Sequence, residues 1–421
     1  MLLGVIADDL TGATDVALML SRQGMKTVQV IGVPTRNSDF SDAAAVVVAL
    51  KSRTVPAQEA IRASLEAASA LRAAGASQLL FKYCSTFDST DNGNIGPVTE
   101  ALLDATKSDL TIACPAFPAA GRTVYLGHLF VGHVLLSDSP MKDHPLTPMR
   151  DANLVRLLQR QAKGRVGLIP VSVVERGPES IRAHLQKAKN DGERMVVVDA
   201  TEDKHLRMIG AACAGLALVT GGSGIAMGLP DNFRATGKLI ARQIESRWRA
   251  PAGKPVILAG SCSAATRNQV DHAINAGTPA LKLDVLAIAD GTTTADDVSR
   301  WVMENTNVKP TLVYSSADPA IVAMIQGQLG AERAGQLVEH LLAEVGIKLL
   351  AYGFTRFLVA GGETSGAVVA ALGVKALHIG PEIDPGVPWT RSIGEPDIAL
   401  ALKSGNFGTS DFFLKAWSLL T

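Results

Sequence analysis

The chain has 421 residues, 47% of them hydrophobic, and its 40 basic side chains balance its 40 acidic ones. This length predicts two or three domains, because a domain holds roughly 150 residues. No run of five like charges is present, so we expect neither nucleic acid nor an anionic membrane as a partner. The four cysteines are widely spaced, which favours neither a zinc site nor a disulfide framework. With no basic segment before the first apolar run, we expect a cytoplasmic protein.

The first strand and helix carry the most informative pattern. The sequence LLGVIADDLTGATD predicts a buried parallel strand, then Asp8 and Asp9, then a helix. Ligands of open α/β sheets bind just beyond the carboxyl ends of such strands. A helix cap needs one aspartate, so capping alone leaves the second unexplained. The pair is suited to hold a cation, to bind hydroxyl groups or to accept a proton.

Short apolar runs alternate with helical patterns along the rest of the chain. This alternation predicts an α/β fold with mainly parallel sheets. Helices are predicted from Pro56 to about Arg72 and over about 331–350. The uncharged segment 209–230 is long enough to span a bilayer, but glycines interrupt it, so we predict a strand and loops there. The predicted strands after the first are 27–31, 45–50, 78–83, 110–114, 166–171, 195–199, 216–220, 256–260, 280–283, 311–314, 357–360, 376–379 and 398–402.

The segment RAPAGKP has the composition of a linker and precedes a new strand. We therefore predict an N-terminal domain over 1–235, a linker over 236–254 and a C-terminal domain over 255–421, with a cleft between the domains. An amphipathic stretch is expected up to about Trp248.

In the first half, polar side chains follow several predicted strands. They include Arg53 after the third strand, the stretch KYCSTFDST and a later arginine, Arg122. Arginine pairs bidentately with carboxylates. Arg53 near Asp8 and Asp9 therefore indicates a site for a small polyhydroxy acid, with cations for its carboxylate and acids for its hydroxyls. A surface network of salt bridges is the alternative explanation.

In the second half, three turns rich in glycine and hydroxyl groups follow strands: GSCSAAT from Gly260, GGETSG from Gly361, and KSGNFG from Lys403. Backbone N–H groups at such turns bind phosphate. Together the turns predict a nucleotide-phosphate site. It is not a P-loop, because Leu239 follows Gly237 and Lys238 where a Walker A loop needs Ser or Thr. The turn VTGGSGIAMG has glycine spacing like a dinucleotide fold, but no strand ending in an acid follows it as that motif requires.

Cys262 offers an opposing hypothesis, because G-x-C-x-A after a strand matches a thiol form of the nucleophile elbow. A thiol hydrolase of this kind needs a histidine further along the chain, and His340 and His378 are the candidates. The sequence places His340 in the long helix and His378 in an apolar strand, where a structural role is the more natural one.

With these residues in view, the whole chain resembles the four-carbon acid sugar kinases, and among them the 3-oxo-tetronate kinases. The matching blocks include IADDLTGATD, KYCSTFDST, GNIGPVT, VTGGSG, VAGGETSG, PGVPW and LALKSGNFG. The DD-x-TGA and GG-x-T patterns are typical of the family, whereas KYCSTFDST and LALKSGNFG are typical of the subgroup. Leu10 stands where phenylalanine is common, a conservative departure.

The resemblance implies an N-terminal domain for a sugar acid, a C-terminal domain for ATP with Mg²⁺, and phosphorylation of the C4 hydroxyl of 3-oxo-tetronate. Asp9 or Asp8 would be the catalytic base, and no residue is assigned to a metal. The residues implied to bind the sugar acid are Asp9, Arg53, Lys82, Cys84, Ser85, Thr86 and Arg122. Those implied to bind the nucleotide are Ser261, Ser263, Gly361, Gly362, Glu363, Thr364, Gly405 and Asn406.

Several alternatives stay open at this stage. Threonate or erythronate would fit the same family, and a two-domain sensor of sugar acids without turnover would fit the same motifs. The sequence does not distinguish D from L substrates or fix the oligomeric state, for which a homodimer is one option. If the reaction is phosphoryl transfer, closure across the linker should bring the two ligands together and exclude water.

Overall fold

The computed structural model describes residues 1–34, 40, 42–144, 147–240, 248–306 and 309–420. The chain forms two compact units, Met1–Ile244 and Glu245–Thr421. Of the predicted linker over 236–254 and the amphipathic stretch up to about Trp248, residues 241–247 lie outside the described part. The predicted domain boundaries, and the predicted cleft, stay predictions.

The first unit alternates strands and helices as its sequence predicts. Its elements are β1 (Leu3–Ala7), α1 (Leu10–Arg22), β2 (Thr27–Ile31), β3 (Ala45–Ala49), α2 (Ala57–Ala73), β4 (Gln78–Lys82), α3 (Ile95–Thr106), β5 (Thr111–Cys114), β6 (Arg122–Tyr125), β7 (His128–Val131), β8 (Val134–Leu135), α4 (Leu154–Gln161), β9 (Arg165–Ile169), α5 (Val171–Val174), α6 (Pro178–Asn190), β10 (Glu193–Val198), α7 (Asp203–Ala212), β11 (Leu218–Gly221) and α8 (Leu229–Ala235). Short 3₁₀ turns lie at Pro118–Ala120, Leu136–Asp138, Pro140–Asp143, Cys213–Gly215 and Ser223–Met227.

Eight strands of this unit form a sheet in the order β2-β3-β1-β4-β11-β5-β10-β9, and every neighbouring pair is parallel. β1, β3 and β4 are buried along their whole length, as expected for apolar strands covered on both faces. From β1 the chain adds strands on one side and then crosses to β4 on the other. Such a switch in direction is where α/β sheets bind ligands. β6, β7 and β8 form a separate antiparallel sheet that the sequence did not predict.

Helix α2 begins and ends close to where the sequence predicts, although Ile61 and Leu65 of its predicted apolar face are only half-buried. It begins directly after Pro56, buries Ala60, Ala67 and Leu71 on one face, and ends before Gly75, whose φ is +96°. That backbone conformation costs little only for glycine, so Gly75 stops the helix. The uncharged segment 209–230 is divided among α7, β11 and α8. Within the described ranges, no helix is long and apolar enough to cross a bilayer.

The second unit also alternates strands and helices. Its elements are β12 (Lys254–Ala259), α9 (Ala264–Asn275), β13 (Ala280–Lys282), α10 (Val285–Ala289), α11 (Ala295–Asn305), β14 (Thr311–Tyr314), α12 (Pro319–Leu329), α13 (Ala331–Ala351), β15 (Phe354–Ala360), α14 (Gly362–Ala371), β16 (Ala376–Asp384), β17 (Val387–Ser392), β18 (Ala399–Lys403) and α15 (Phe412–Lys415), followed by a 3₁₀ turn at Ala416–Leu419.

The strand order in this unit is β13-β14-β12-β15-β18-β17-β16. The pairs from β13 to β18 are parallel, whereas β17 runs antiparallel to both of its neighbours. The predicted α/β class with mainly parallel sheets and without a P-loop is therefore confirmed. The sequence analysis did not predict β17, because Pro388 interrupts the apolar pattern of PGVPW and proline is disfavoured inside sheets.

Trp389 on β17 anchors the core of this unit. Its side chain is fully buried, and its ring centroid lies 5.3 Å from that of Trp417. The indole Nε1–H donates to the carbonyl of Ala416 over 2.8 Å. A buried indole with a satisfied N–H fixes the C-terminal turn against the sheet.

Replacing Trp389 by phenylalanine should lower the free energy of unfolding by about 2 kcal/mol, because it leaves a cavity and an unpaired carbonyl at Ala416. Urea titration followed by tryptophan fluorescence tests this, since all four tryptophans lie after residue 245. Trp301→Phe, at a half-buried position, is the matched control and should cost less. Equal losses in the two variants would contradict the anchoring role of Trp389.

Candidate functional site

Three neighbouring strands of the first unit bring the predicted polar residues together. Asp8 follows β1, Lys82 is the last residue of β4, and Arg53 lies in the loop after β3. The backbone N–H of Asp8 donates to the carbonyl of Lys82 over 3.0 Å, and that of Ser52 donates to the carbonyl of Asp8 over 2.9 Å. The strand order β3-β1-β4 therefore places Asp8, Arg53 and Lys82 at one edge of the sheet, as expected for parallel strands.

The Arg53 guanidinium holds both aspartates. Its Nε–H and Nη2–H donate to the two oxygens of Asp8 over 2.9 and 2.8 Å, and Nη2 also donates to Asp9 Oδ1 over 2.7 Å. Nη1 lies 3.7 Å from Asp88 Oδ2 and donates to no described residue. Burial disfavours the charge, but Asp8 and Asp9 outweigh it and raise the pKa of Arg53 well above its usual value.

The pKa values of Asp8 and Asp9 shift in opposite directions. Burial raises the pKa of Asp8 despite its pairing with Arg53. Asp9 is half-buried; desolvation opposes its ionisation, yet Arg53, Lys82 and two further hydrogen bonds outweigh that effect and lower its pKa. Those bonds come from the Thr11 hydroxyl over 2.8 Å and from the backbone N–H of Gly12 over 3.1 Å. Asp9 is thus the N-cap of α1 and an ion-pair partner at once, which joins two explanations that the sequence analysis kept apart.

Lys82 is a buried cation with donors to spare. Its residue is 3% exposed, and its ammonium contributes to the pKa of Asp8, Asp9 and Asp15 without donating a hydrogen bond to any described residue. The ammonium lies beside Gly12, where an added Cβ would collide with both Lys82 Nζ and Asp9 Oδ1. Only glycine therefore fits at position 12 without displacing Asp9 or Lys82.

The turn after β4 lies next to the cluster formed by Asp8, Asp9, Arg53 and Lys82. The Cys84 thiol contacts the Thr86 hydroxyl at 3.0 Å, and Thr86 donates to Asp88 Oδ1 over 2.6 Å. Burial raises the pKa of Cys84 to about 12, so its thiol is neutral. Ser85 is buried in the same turn. A small pocket of about 10 Å³ lies here, lined by Asp8, Arg53 and Asp88 among others.

Asn94 fixes the Arg53 loop, a role that the sequence analysis missed. Its side-chain amide donates to the carbonyls of Ser52, Arg53 and Val55 over 2.8, 3.3 and 2.8 Å. The residue lies in the block GNIGPVT, but nothing in the spacing indicates that its partners are some 40 positions earlier. Its effect is to hold the backbone from which Arg53 reaches the aspartates.

Asp15 and Ser223 form a second buried pair that the sequence analysis did not find. The Ser223 hydroxyl donates to Asp15 Oδ2, and Asp15 Oδ1 is buried without a hydrogen-bond partner among the described residues. Burial raises the pKa of Asp15 to about 6, while Lys82 and, more weakly, Arg122 oppose the rise. Arg122 thus acts on this cluster electrostatically, and its Nη1 donates to the carbonyl of Ala120.

In the second unit the three predicted turns converge. The Ser263 hydroxyl donates to the carbonyl of Gly405 over 2.6 Å. A Cβ added to Gly260 would collide with the Thr364 hydroxyl, and one added to Gly405 would meet the hydroxyl of Ser261. Glycine is needed at both positions because the turns touch each other. The three turns therefore lie together, whereas their role as a nucleotide-phosphate site stays a prediction.

A cavity of about 270 Å³ opens at this junction. One part of its wall is polar and includes the first turn of α14, whose N-cap Gly361 has a φ of +127°. The N–H groups of such a first turn have no helical partner and favour an anion. The other part is apolar. The polar lining includes Ser261, Ser315, Gly362, Glu363 and Thr364, and the apolar lining includes Val285, Val322, Ile325, Ala334 and Val338. Asn406 is exposed and does not line the cavity.

Cys262 also lines this cavity, but its surroundings do not favour the thiol hydrolase. Its thiol donates weakly to the carbonyl of Ser315 over 3.9 Å, and no histidine of the described residues hydrogen-bonds to it. His340 lies in the middle of α13, and both His340 and His378 are exposed. The general base that a thiol nucleophile needs is therefore missing from this arrangement.

Known protein families match the two halves of the chain separately. Residues 3–229 match the family model of a sugar-binding N-terminal domain, and residues 256–413 match that of a nucleotide-binding C-terminal domain. A 3-oxo-tetronate kinase of Cupriavidus necator is 55% identical over 417 residues, which cover 99% of this chain and 96% of the relative. The 3-oxo-tetronate kinase of Haemophilus influenzae is 45% identical, covering 98% of each chain.

This chain belongs to the 3-oxo-tetronate kinase family. Solved structures agree: a Haemophilus influenzae protein of the DUF1537 family has a TM-score of 0.78 at 44% identity and covers 99% of this chain and 100% of its own. A Salmonella typhimurium protein described as a tRNA synthase has a TM-score of 0.86 at 43% identity, with 98% of both chains covered. The family membership predicted from the motifs is confirmed.

Replacing Gly12 by alanine should lower kcat/KM for the family reaction about 100-fold, because a new methyl group displaces Asp9 and Lys82 by about 1 Å. ADP binding, measured by calorimetry, should stay unchanged. Gly215→Ala is the matched control, since a Cβ there meets no atom within 4 Å. Full activity of the Gly12 variant would show that these two side chains need no fixed position.

Proposed function

We propose that this protein transfers the γ-phosphoryl group of ATP to the C4 hydroxyl of 3-oxo-tetronate, in the breakdown of four-carbon sugar acids. The full-length likeness to kinases of that name carries the proposal. The geometry of each unit supports it, because one unit gathers cations and carboxylates at a strand switch and the other gathers phosphate-binding turns.

The sugar acid needs a cation for its carboxylate and acceptors for its hydroxyls. Lys82 supplies the cation, because its ammonium has donors that no described residue uses. Arg53 is occupied by Asp8 and Asp9 through Nε and Nη2, so its Nη1 is the edge left for substrate. The pocket of about 10 Å³ beside Asp8 and Arg53 has room for at most about one water molecule, so the substrate would lie outside it, next to Arg53 and Asp9.

Asp9 is our candidate for the residue that orients the reacting hydroxyl and accepts its proton. Its side chain is 23% exposed, against 9% for Asp8, so it is the more accessible carboxylate. Asp8 uses both oxygens to hold Arg53. Phosphoryl transfer depends mainly on position and charge, so a carboxylate that stays ionised and fixed suits this role. Asp8 is then a positioning residue.

The nucleotide would occupy the cavity of the second unit, with its phosphates at the turns of Ser261, Gly361 and Gly405. The apolar wall of α12 and α13 would hold the adenine base of ATP. This division matches the two chemical halves of ATP, and it explains why one cavity joins glycine-rich turns to Val322 and Val338.

We propose that Mg²⁺ enters with ATP. Throughout the described ranges no group of three or more His, Cys, Asp or Glu side chains could hold a metal ion. Mg²⁺ in kinases is commonly bound by substrate phosphates and only one or two carboxylates. Glu363 lines the cavity in the first turn of α14 and would be the protein ligand. The ion would neutralise charge on the transferred group. Because the reaction consumes ATP, we also propose a cytoplasmic location.

An ATP-coupled screen of four-carbon acids tests the substrate. ADP release should depend on 3-oxo-tetronate, and ³¹P–¹³C coupling in the product should locate the phosphate on C4. Threonate and erythronate, each as D and L forms, belong in the same panel as competing acceptors. Faster turnover of either would replace the proposed substrate, and ADP binding without turnover of any acid would support a sensor.

Asp9→Asn should lower kcat by about 10²- to 10⁴-fold, since the amide cannot accept the proton. Asparagine is as good an N-cap as aspartate, and Asp8 keeps both of its hydrogen bonds to Arg53, so α1 should keep its start and the chain should still fold. ADP affinity should stay at the wild-type value. Asp104→Asn, an exposed position in the same unit, is the matched control. Turnover near the wild-type rate would transfer the role of base to Asp8.

A further inference from the structure

Lys403, at the end of β18, carries a buried ammonium group surrounded by neutral oxygens. The residue has no exposed surface. Its Nζ donates to the Thr266 hydroxyl over 3.0 Å and to the carbonyls of Ser404 and Gly405 over 3.0 and 2.9 Å. The hydroxyl of Ser263 donates to the same Gly405 carbonyl. One ammonium therefore ties β18, the Gly405 turn and the start of α9 together.

Among the described residues, no carboxylate pairs with this ammonium group. β15 and β17 flank β18, and α9 and α14 pack nearby, yet no charged side chain from these elements alters the pKa of Lys403. Burial alone lowers that pKa to about 7. Lys403 forms no ion pair with any residue in the described part of the chain. The charged groups on those elements act elsewhere: Arg391 pairs with Asp397, and Arg267 with Asp318.

A buried cation without a counter-charge is costly, and native proteins place one where a ligand supplies the opposite charge or where it is neutral. The Gly405 turn above Lys403 touches the hydroxyls of Ser261 and Ser263. Ser261 lines the cavity that we assign to ATP. The anion that can approach this turn is therefore a phosphate of the nucleotide.

We propose that Lys403 is a positioning residue for the nucleotide, whose phosphates are the missing counter-charge of its buried ammonium. The inference rests on the proposed kinase function and adds a residue to its ATP site. Lys403 acts through the turn: it binds the carbonyls of Ser404 and Gly405 from below, which leaves the N–H side of the turn to the phosphates. Its positive potential then adds to that of the N–H groups.

A linkage to protons follows from this arrangement. In the free protein Lys403 is charged below its pKa and neutral above it, whereas bound phosphate stabilises the charged form and raises that pKa. Nucleotide binding should therefore take up a proton when the pH exceeds the free pKa of about 7. Affinity should be highest below that pKa and should fall as the pH rises through it.

Isothermal titration of the full chain with Mg²⁺-ADP, in two buffers of different ionisation enthalpy, measures this uptake. At about pH 8 the phosphates of ADP are fully ionised, so they neither release nor take up a significant number of protons. The protein itself should therefore take up close to one proton per ADP bound. Lys403→Met should abolish the uptake and weaken ADP binding about tenfold near pH 7. Thr266→Val removes one acceptor but keeps the ammonium, so its uptake should persist.

The outcomes separate this proposal from the proposed function. If the wild-type protein binds no ADP, the kinase assignment of the site fails. If it binds ADP without proton uptake, or if Lys403→Met shows the same uptake, the role of Lys403 is wrong and the kinase assignment stands. Should Lys403→Met fail to fold, the wild-type measurement still decides, together with its ADP affinity from about pH 6 to 9: a constant affinity overturns the proposal.

Discussion

The ion pair of Arg53 with Asp8 and Asp9 is the interaction on which the first unit's site depends. Two adjacent carboxylates at a buried strand end would otherwise repel each other and lose their hydration. Arg53 shares its Nη2 between them, and the backbone N–H at the start of α1 stabilises Asp9 further. The pair is thereby divided into an anchor with a raised pKa and an ionised, more exposed neighbour.

The second unit handles charge in the opposite way. Its turns present backbone N–H groups and hydroxyls, and the cation among them, Lys403, lies below the surface of the site. Sugar acids differ in the placement of hydroxyls, so recognition by directed side chains gives selectivity. A triphosphate is a large and uniform charge, so a cradle of N–H dipoles over one buried ammonium is sufficient. The two sites thus follow the chemistry of their proposed ligands.

Much of this fold could be predicted because strands buried on both faces are short apolar runs. β3 and β14 begin where the pattern begins, and α2 has a proline before its start and a glycine after its end. β17 was missed because Pro388 and the polar residues near it hide a strand that runs antiparallel in the sheet. The hairpin strands β6 to β8 were missed because they pack in a small sheet of their own, where no long apolar run is needed.

The part of the site that could be predicted consists of the residues that directly follow predicted strands. The glycines and hydroxyl groups after strands pointed to the three turns that touch each other in the second unit, and the acids after β1 pointed to Asp8 and Asp9. The partners of these residues depend on strand order, which the sequence does not encode locally. Asp15 and Ser223 are 208 positions apart and meet because β11 lies beside β4, two strands from β1, which leads into the helix of Asp15. The sequence around Asp15 therefore gives no local sign of this partner. The same argument applies to Lys403, whose neutral surroundings are created by α9, more than 130 residues earlier.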